Sequence, residues 1–188
     1  MGINYVKGDA THPNCACNRA IIHICNNMGQ WGAGFVVALA KRWPATERYY
    51  REWCEAYPHP SLPLGINQII RVERGTHVVN MVAQDNSMRG DLPFVQYKHL
   101  DIGNYPWLDD DMFIIPPAVP RVNYGALQKC LSHAAFELRK RNILSVHAPR
   151  IGCGIGGGDW DIVELLLNKE LINKGIEVTI YDFEAPEA

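Results

Sequence analysis

Between Pro149 and Trp160 an apolar run breaks into five glycines within seven residues, Gly152, Gly154, Gly156, Gly157 and Gly158, and restarts at Asp159-Trp160 as a helix. Glycine admits positive φ and lets a ligand approach bare backbone, and a helix start beyond it offers unpaired N–H groups at the positive end of a dipole. The stretch therefore reads as a phosphate cradle suited to a diphosphate. A flexible surface turn is the alternative, but linkers keep Ser and polar company, whereas Ile151, Ile155 and Trp160 are apolar.

A second glycine-rich turn, Asn26-Asn27-Met28-Gly29-Gln30-Trp31-Gly32-Ala33-Gly34, leads from the apolar run Ala20 to Cys25 into a helix over Phe35 to Arg42. Ile3 to Lys7 and Ala20 to Cys25 both read as central strands. Pro44 suits N1 of a helix over Ala45 to Glu55, and Arg74-Gly75 joins β-type runs Asn67 to Val72 and His77 to Ala83 as a hairpin. Arg121 to Arg141 has helical spacing, and Leu144 to Ala148 returns as a strand feeding the cradle. Asp159 caps a helix through Asn173 that Gly175 ends, and Ile176 to Phe183 is the last strand. Strands alternating with helices imply an α/β fold with a parallel or mixed sheet covered on both faces, whose ligands sit where strands lead into helices. The stretch from about 86 to 120, with its prolines and the triplet Asp109-Asp110-Asp111, lacks periodicity and reads as an insertion, lid or contact loop.

A chain of 188 residues is long enough for one substantial core, so one domain is expected over 1–188. A formal charge of −2 gives no general attraction to nucleic acid or acidic membranes, so phosphate recognition must be local and made largely by backbone. No apolar run approaches the roughly 20 residues of a membrane span, and a cytoplasmic protein is expected. The six cysteines show no CxxC pairing and are read as free thiols. Cys15-Ala16-Cys17 is too close for zinc chelation with His12 and His23, so neither metal nor cofactor is expected. Gly152 to Gly157 matches Gly-x-Gly-x-x-Gly formally, yet no βαβ unit follows it, which argues against a dinucleotide-dependent oxidoreductase.

Gly8-Asp9-Ala10, Asn26-Asn27 before Trp31-Gly32-Ala33-Gly34, Pro149-Arg150-Ile151-Gly152-Cys153-Gly154 and Tyr181-Asp182-Phe183 together resemble the macrodomain family. The resemblance is to the branch of terminal ADP-ribose protein glycohydrolases, toxin–antitoxin macrodomains and ADP-ribose 1″-phosphate phosphatases, and spans the chain except roughly 86–120. It implies a three-layer α/β/α fold with a mixed sheet between helices, binding ADP-ribose or ADP-ribosylated protein or nucleic acid. Asp9 and Ala10 would then meet the adenine, Phe183 cover it, and Asn26 and Asn27 bond the distal ribose. Trp31, Gly32, Ala33, Gly34 and Phe35 would wrap the diphosphate, together with Ile151, Gly152, Cys153, Gly154, Ile155, Gly156, Gly157 and Gly158. Asp9 also suits an Asx turn and Phe183 plain core. Where the glycohydrolases carry a nucleophilic lysine and an assisting acid, this sequence has Gln84 and Gly156, so a lysyl intermediate is not expected. Gln84, Asp159 and His23, the last matching the phosphatase histidine, are the catalytic candidates. Asp159 reads equally as a helix cap, and His23 as a satisfied core residue. Hydrolysis of mono-ADP-ribosyl adducts leads, with phosphatase and non-catalytic reader as alternatives.

Overall fold

The computed structural model describes residues 2–15, 17–86, 122–154 and 156–182. From residue 87 on, the expected insertion lies outside them, as do Ile155 and Phe183. The elements run β1 (Asn4–Lys7), β2 (Arg19–Asn26), α1 (Phe35–Arg42), α2 (Ala45–Ala56), β3 (Asn67–Glu73), β4 (Thr76–Gln84), α3 (Tyr124–Lys140), β5 (Ser145–Pro149), α4 (Trp160–Glu170), a 3-10 turn (Ile172–Lys174) and β6 (Glu177–Asp182).

The strand order is β1-β6-β5-β2-β4-β3, parallel throughout except where the β3–β4 hairpin runs antiparallel. Alternation along β2 shows how the sheet is covered. Ala20 and Ile22 pack with Leu127 and Leu131 of α3 and Leu167 of α4, while Ile21 and Cys25 pack with Leu39 of α1 and Tyr50 of α2. The mixed sheet thus lies between two helical layers, as a three-layer α/β/α fold requires.

Three expectations need correction. β1 is an edge strand, because only Val6 of its four residues is even partly buried and Tyr5 lies out against Trp160. The last helix stops at Glu170, where the chain tightens into the 3-10 turn before Gly175 reverses it at φ 79°. Cys15 and Cys17, expected as free thiols, are joined by a disulfide, while Cys25, Cys54, Cys130 and Cys153 are free.

Candidate functional site

Neighbouring strands β2 and β5 send their helices to opposite faces, α1 to one and α4 to the other. Their exit loops diverge, and a crevice is expected beyond the carboxyl ends of both strands, the usual ligand position in such sheets. The two glycine-rich loops would be its walls.

The first wall is stapled by Asn26. Its Oδ1 accepts from Met28 N (2.9 Å) and Gln30 N (3.1 Å), its Nδ2 donates to Gln30 O (2.6 Å), and Tyr50 Oη donates to its carbonyl. Gly34 ends the turn at φ 79° and ψ −153°, a conformation open to glycine alone, and α1 starts there without a side-chain cap or an acidic residue in its first turn. By contrast Asp159 caps α4 by accepting from Asp161 N at 2.9 Å.

The second wall folds on itself through Gly157 N→Gly154 O (3.0 Å) and Gly158 N→Gly152 O (2.9 Å), anchored by the buried Ile151. Gly152 sits at φ +72°, where a Cβ would come within 2.7 Å of Val122. A Cβ on Gly156 would lie 2.7 Å from Gly152 O and 2.8 Å from Gln84 Nε2, and one on Gly158 would lie 3.0 Å from Gly152 O. Packing therefore demands these glycines. Gly154 and Gly32 differ: neither has positive φ, and an added Cβ would meet nothing within 4 Å. Burial pushes the Cys153 thiol up to about 11, which leaves it a poor nucleophile.

At the end of β1, Asp9 forms the Asx turn, Oδ1 accepting from Thr11 N at 2.8 Å and Oδ2 lying 3.1 Å from His12 Nδ1. Burial raises its pKa, but the hydrogen bonds from Thr11 and His12 outweigh that and hold it below the usual value. Ala10 beside it is buried. Asn27 spans toward β4: its Nδ2 donates to Asp85 Oδ1 (3.1 Å) and its Oδ1 accepts from Asn86 N (2.9 Å). Asn86, which belongs to no motif, closes the bridge by donating to Gln30 Oε1 at 2.7 Å.

Of the catalytic candidates, Gln84 lies against the glycine loop at Gly156, and Asp159 is exposed on the start of α4. His23 is 2% exposed beneath the first wall, and burial lowers its pKa to about 4. Arg150, the first residue of the second wall, forks onto Asp182 (2.5 and 3.2 Å) and lies 4.8 Å over the Trp160 ring, tying the loop to β6 and α4. Among the described residues, no cluster of three His, Cys, Asp or Glu side chains could hold a metal, and no helix is long and apolar enough to cross a membrane.

A mixed sheet between two helical layers, with glycine-rich loops after β2 and β5, defines a three-layer α/β/α protein. No family model matches the chain. It is 31% identical to an ADP-ribose 1″-phosphate phosphatase of Lodderomyces elongisporus, the match covering 90% of this chain and 92% of that protein. A shorter match, 35% identical over 72 residues, spans 38% of this chain and 41% of the ADP-ribose 1″-phosphate phosphatase of Meyerozyma guilliermondii. A match to chromodomain-helicase-DNA-binding protein 1-like of Mus musculus covers 99% of this chain but 18% of that protein. The solved macrodomain protein from Streptomyces coelicolor is 34% identical with a TM-score of 0.71, over 96% of this chain and 98% of that one. The chain belongs to the macrodomain family.

Proposed function

We propose that the chain binds ADP-ribose along the crevice and hydrolyses mono-ADP-ribosyl adducts at the anomeric carbon of the distal ribose. The observation that carries this reading is the pair Gly32 and Gly154. Among the described residues neither backbone conformation nor packing calls for glycine at either position, and the two belong to loops that follow neighbouring strands. Bare backbone with open space above it suits a diphosphate approached from both sides, with the uncapped start of α1 contributing its N–H groups. Asp9 and Ala10 take the adenine, and Asn26 and Asn27 line the distal ribose, in addition to holding their loops.

Gln84 cannot form a Schiff base, so attack falls to a water held by Gln84, Asn26 and loop backbone, which passes a proton to the ligand's own phosphate as the bond from the anomeric carbon to the target's carboxylate oxygen breaks. The transition state at this carbon is oxocarbenium-like, and the adjoining diphosphate stabilises it. Phosphate removal from ADP-ribose 1″-phosphate is the second reading, supported by the name of the 31%-identical relative. To separate them, the protein is incubated with an ester-linked ADP-ribosylated protein and, in parallel, with ADP-ribose 1″-phosphate. Free ADP-ribose from the first supports hydrolysis of adducts, and inorganic phosphate from the second supports the phosphatase. Calorimetric binding with neither product would make the chain a reader module, and no binding at all would sink the proposal.

A further inference from the structure

A chain of hydrogen bonds, exposed at its outer end and buried at its inner one, runs from α2 to the floor beneath the first wall. Gln68 Nε2 donates to the Tyr49 carbonyl at 2.9 Å, Asn80 Nδ2 donates to Gln68 Oε1 at 3.0 Å, and His23 Nε2 lies 2.6 Å from Asn80 Oδ1. Strand register makes this possible, since His23 pairs with Asn80 across β2–β4 and Gln68 pairs with Asn80 across β3–β4.

The chain has only one workable polarity. A backbone carbonyl can only accept, so Gln68 must turn its NH2 to Tyr49 and its oxygen to Asn80. Asn80 then uses its NH2 on Gln68 and is left with an oxygen for the imidazole. The 2.6 Å contact with Asn80 Oδ1 therefore puts the His23 proton on Nε2, against the competing pull of the Ile24 carbonyl, which lies 3.3 Å from Nδ1; the Nδ1 lone pair then has the Cys25 thiol at 3.9 Å. The ring so fixed meets Trp31 edge-on at 5.7 Å and Phe35 at 6.0 Å. These two aromatics bracket Gly32-Ala33-Gly34. The buried Trp31 indole N–H has no acceptor among the described residues, and ring packing against His23 and Tyr50 sets this residue's place.

We propose that His23, Asn80 and Gln68 are positioning residues: the tautomer dictated from the Tyr49 carbonyl holds the imidazole in one orientation, and the imidazole holds Trp31 and Phe35 on either side of the diphosphate turn. Its ligand readout rests on the ADP-ribose reading above; its structural readout does not.

Gln68→Leu is the discriminating variant, because position 68 lies on β3 with two residues between it and the loop. Nitrogen-15 imidazole spectra of the ligand-free wild type should show the Nε2–H form of His23. In Gln68→Leu, Asn80 is free to turn its amide over, so the spectra should show mixed tautomers and a shifted Trp31 indole resonance. The ADP-ribose Kd should rise about threefold to tenfold with kcat unchanged, the range for one lost hydrogen bond. His23→Phe keeps a ring in place without the bond, and should weaken binding similarly while staying folded. An unaltered tautomer in Gln68→Leu would overturn the inference, as would an altered tautomer with indole resonance and Kd unmoved. A fall in kcat at constant Kd would overturn it too, because it would make His23 a catalytic residue. A wild type that fails to bind ADP-ribose would instead remove the functional reading, and the ligand-free spectra would still decide this one.

Discussion

Replacing Gly154 with glutamate tests the anion reading of the second wall without asking the fold to change. Gly154 is exposed, lacks positive φ, and has nothing within 4 Å of an added Cβ. Stability of the ligand-free protein should therefore move by no more than about 0.5 kcal/mol, as for other surface substitutions. Its effect on binding is electrostatic. Two like unit charges about 4 Å apart repel by roughly 4 kcal/mol at an effective dielectric constant of 20, and screening reduces this at an open crevice. A loss of about 2 to 3 kcal/mol, on the order of a hundredfold in Kd, is expected. Gly154→Gln has nearly the same volume without the charge, so the ratio of the two variants' Kd values isolates the Coulombic part, which should shrink as salt is raised. Calorimetry with ADP-ribose at low and high ionic strength, alongside thermal melting, supplies both quantities. A glutamate variant that binds within about threefold of wild type at low salt would refute the assignment of this loop to the diphosphate. Gly34→Glu is a poorer test, because φ of 79° strains any side chain there and would mix loop distortion with charge.

Asp9→Asn keeps the oxygen that accepts from Thr11 N at 2.8 Å but removes the carboxylate offered to adenine. ADP-ribose binding should weaken by about 1 to 3 kcal/mol with ribose 5-phosphate indifferent, and equal losses for both would assign Asp9 to the turn alone. Gln84→Ala should slow ADP-ribose release from ester-linked adducts by about tenfold or more with little change in Kd, and an unchanged rate would remove Gln84 from the mechanism. Stability should depend on pH through His23 and His147, both held to about 4 by burial, His147 with help from the nearby Arg19 charge. Both are neutral in the fold and take up protons near pH 6.5 when unfolded, so the unfolded state binds more protons between about pH 6.5 and 4. Stability is full above that window and falls as pH drops through it, by on the order of 3 kcal/mol per histidine. A melting temperature flat from pH 7 to 4 would contradict the neutral, buried state of both rings.

Much of this site was legible because its signals are local. Gly34 before Phe35 and Trp43-Pro44 after Arg42 mark both ends of α1, and Arg74-Gly75 marks the β3–β4 turn, where Gly75 has φ 76°. Each is a backbone requirement written in one or two residues. The parts missed depend on what lies across the sheet. Nothing within Ile3 to Lys7 says that no strand covers its outer side, so an edge strand read as central. Asn86 bridges to Gln30, 56 positions away, through loops that carry no periodicity. His23 taken alone has no stated partner; only the β2–β4 register puts Asn80 beside it. Asn26 carries a role that the motif did not announce: both ends of its amide are engaged by Met28 and Gln30, which is visible only once the turn is closed.

The two departures from the glycohydrolase pattern, Gln84 and Gly156, are mechanically one. A Cβ at 156 would stand 2.8 Å from Gln84 Nε2 and 2.7 Å from Gly152 O, distances that no ordinary contact tolerates. With glycine at 156 the loop settles against the Gln84 amide, and an acid there would meet the fixed Gly152 carbonyl as well as that amide. Restoring one partner alone should therefore fail in different ways. Gln84→Lys would set an ammonium against the loop backbone without the acid that assists it, whereas Gly156→Asp must displace Gly152 O, Val122 or Gln84, at the roughly 1 to 3 kcal/mol typical of overpacking. A lysyl adduct needs both changes together with the loop lifted. Borohydride trapping followed by intact mass measurement would detect it. The expected result is no adduct from wild type or from Gln84→Lys, and a trapped species in Gln84→Lys alone would show that the loop yields far more easily than these contacts imply.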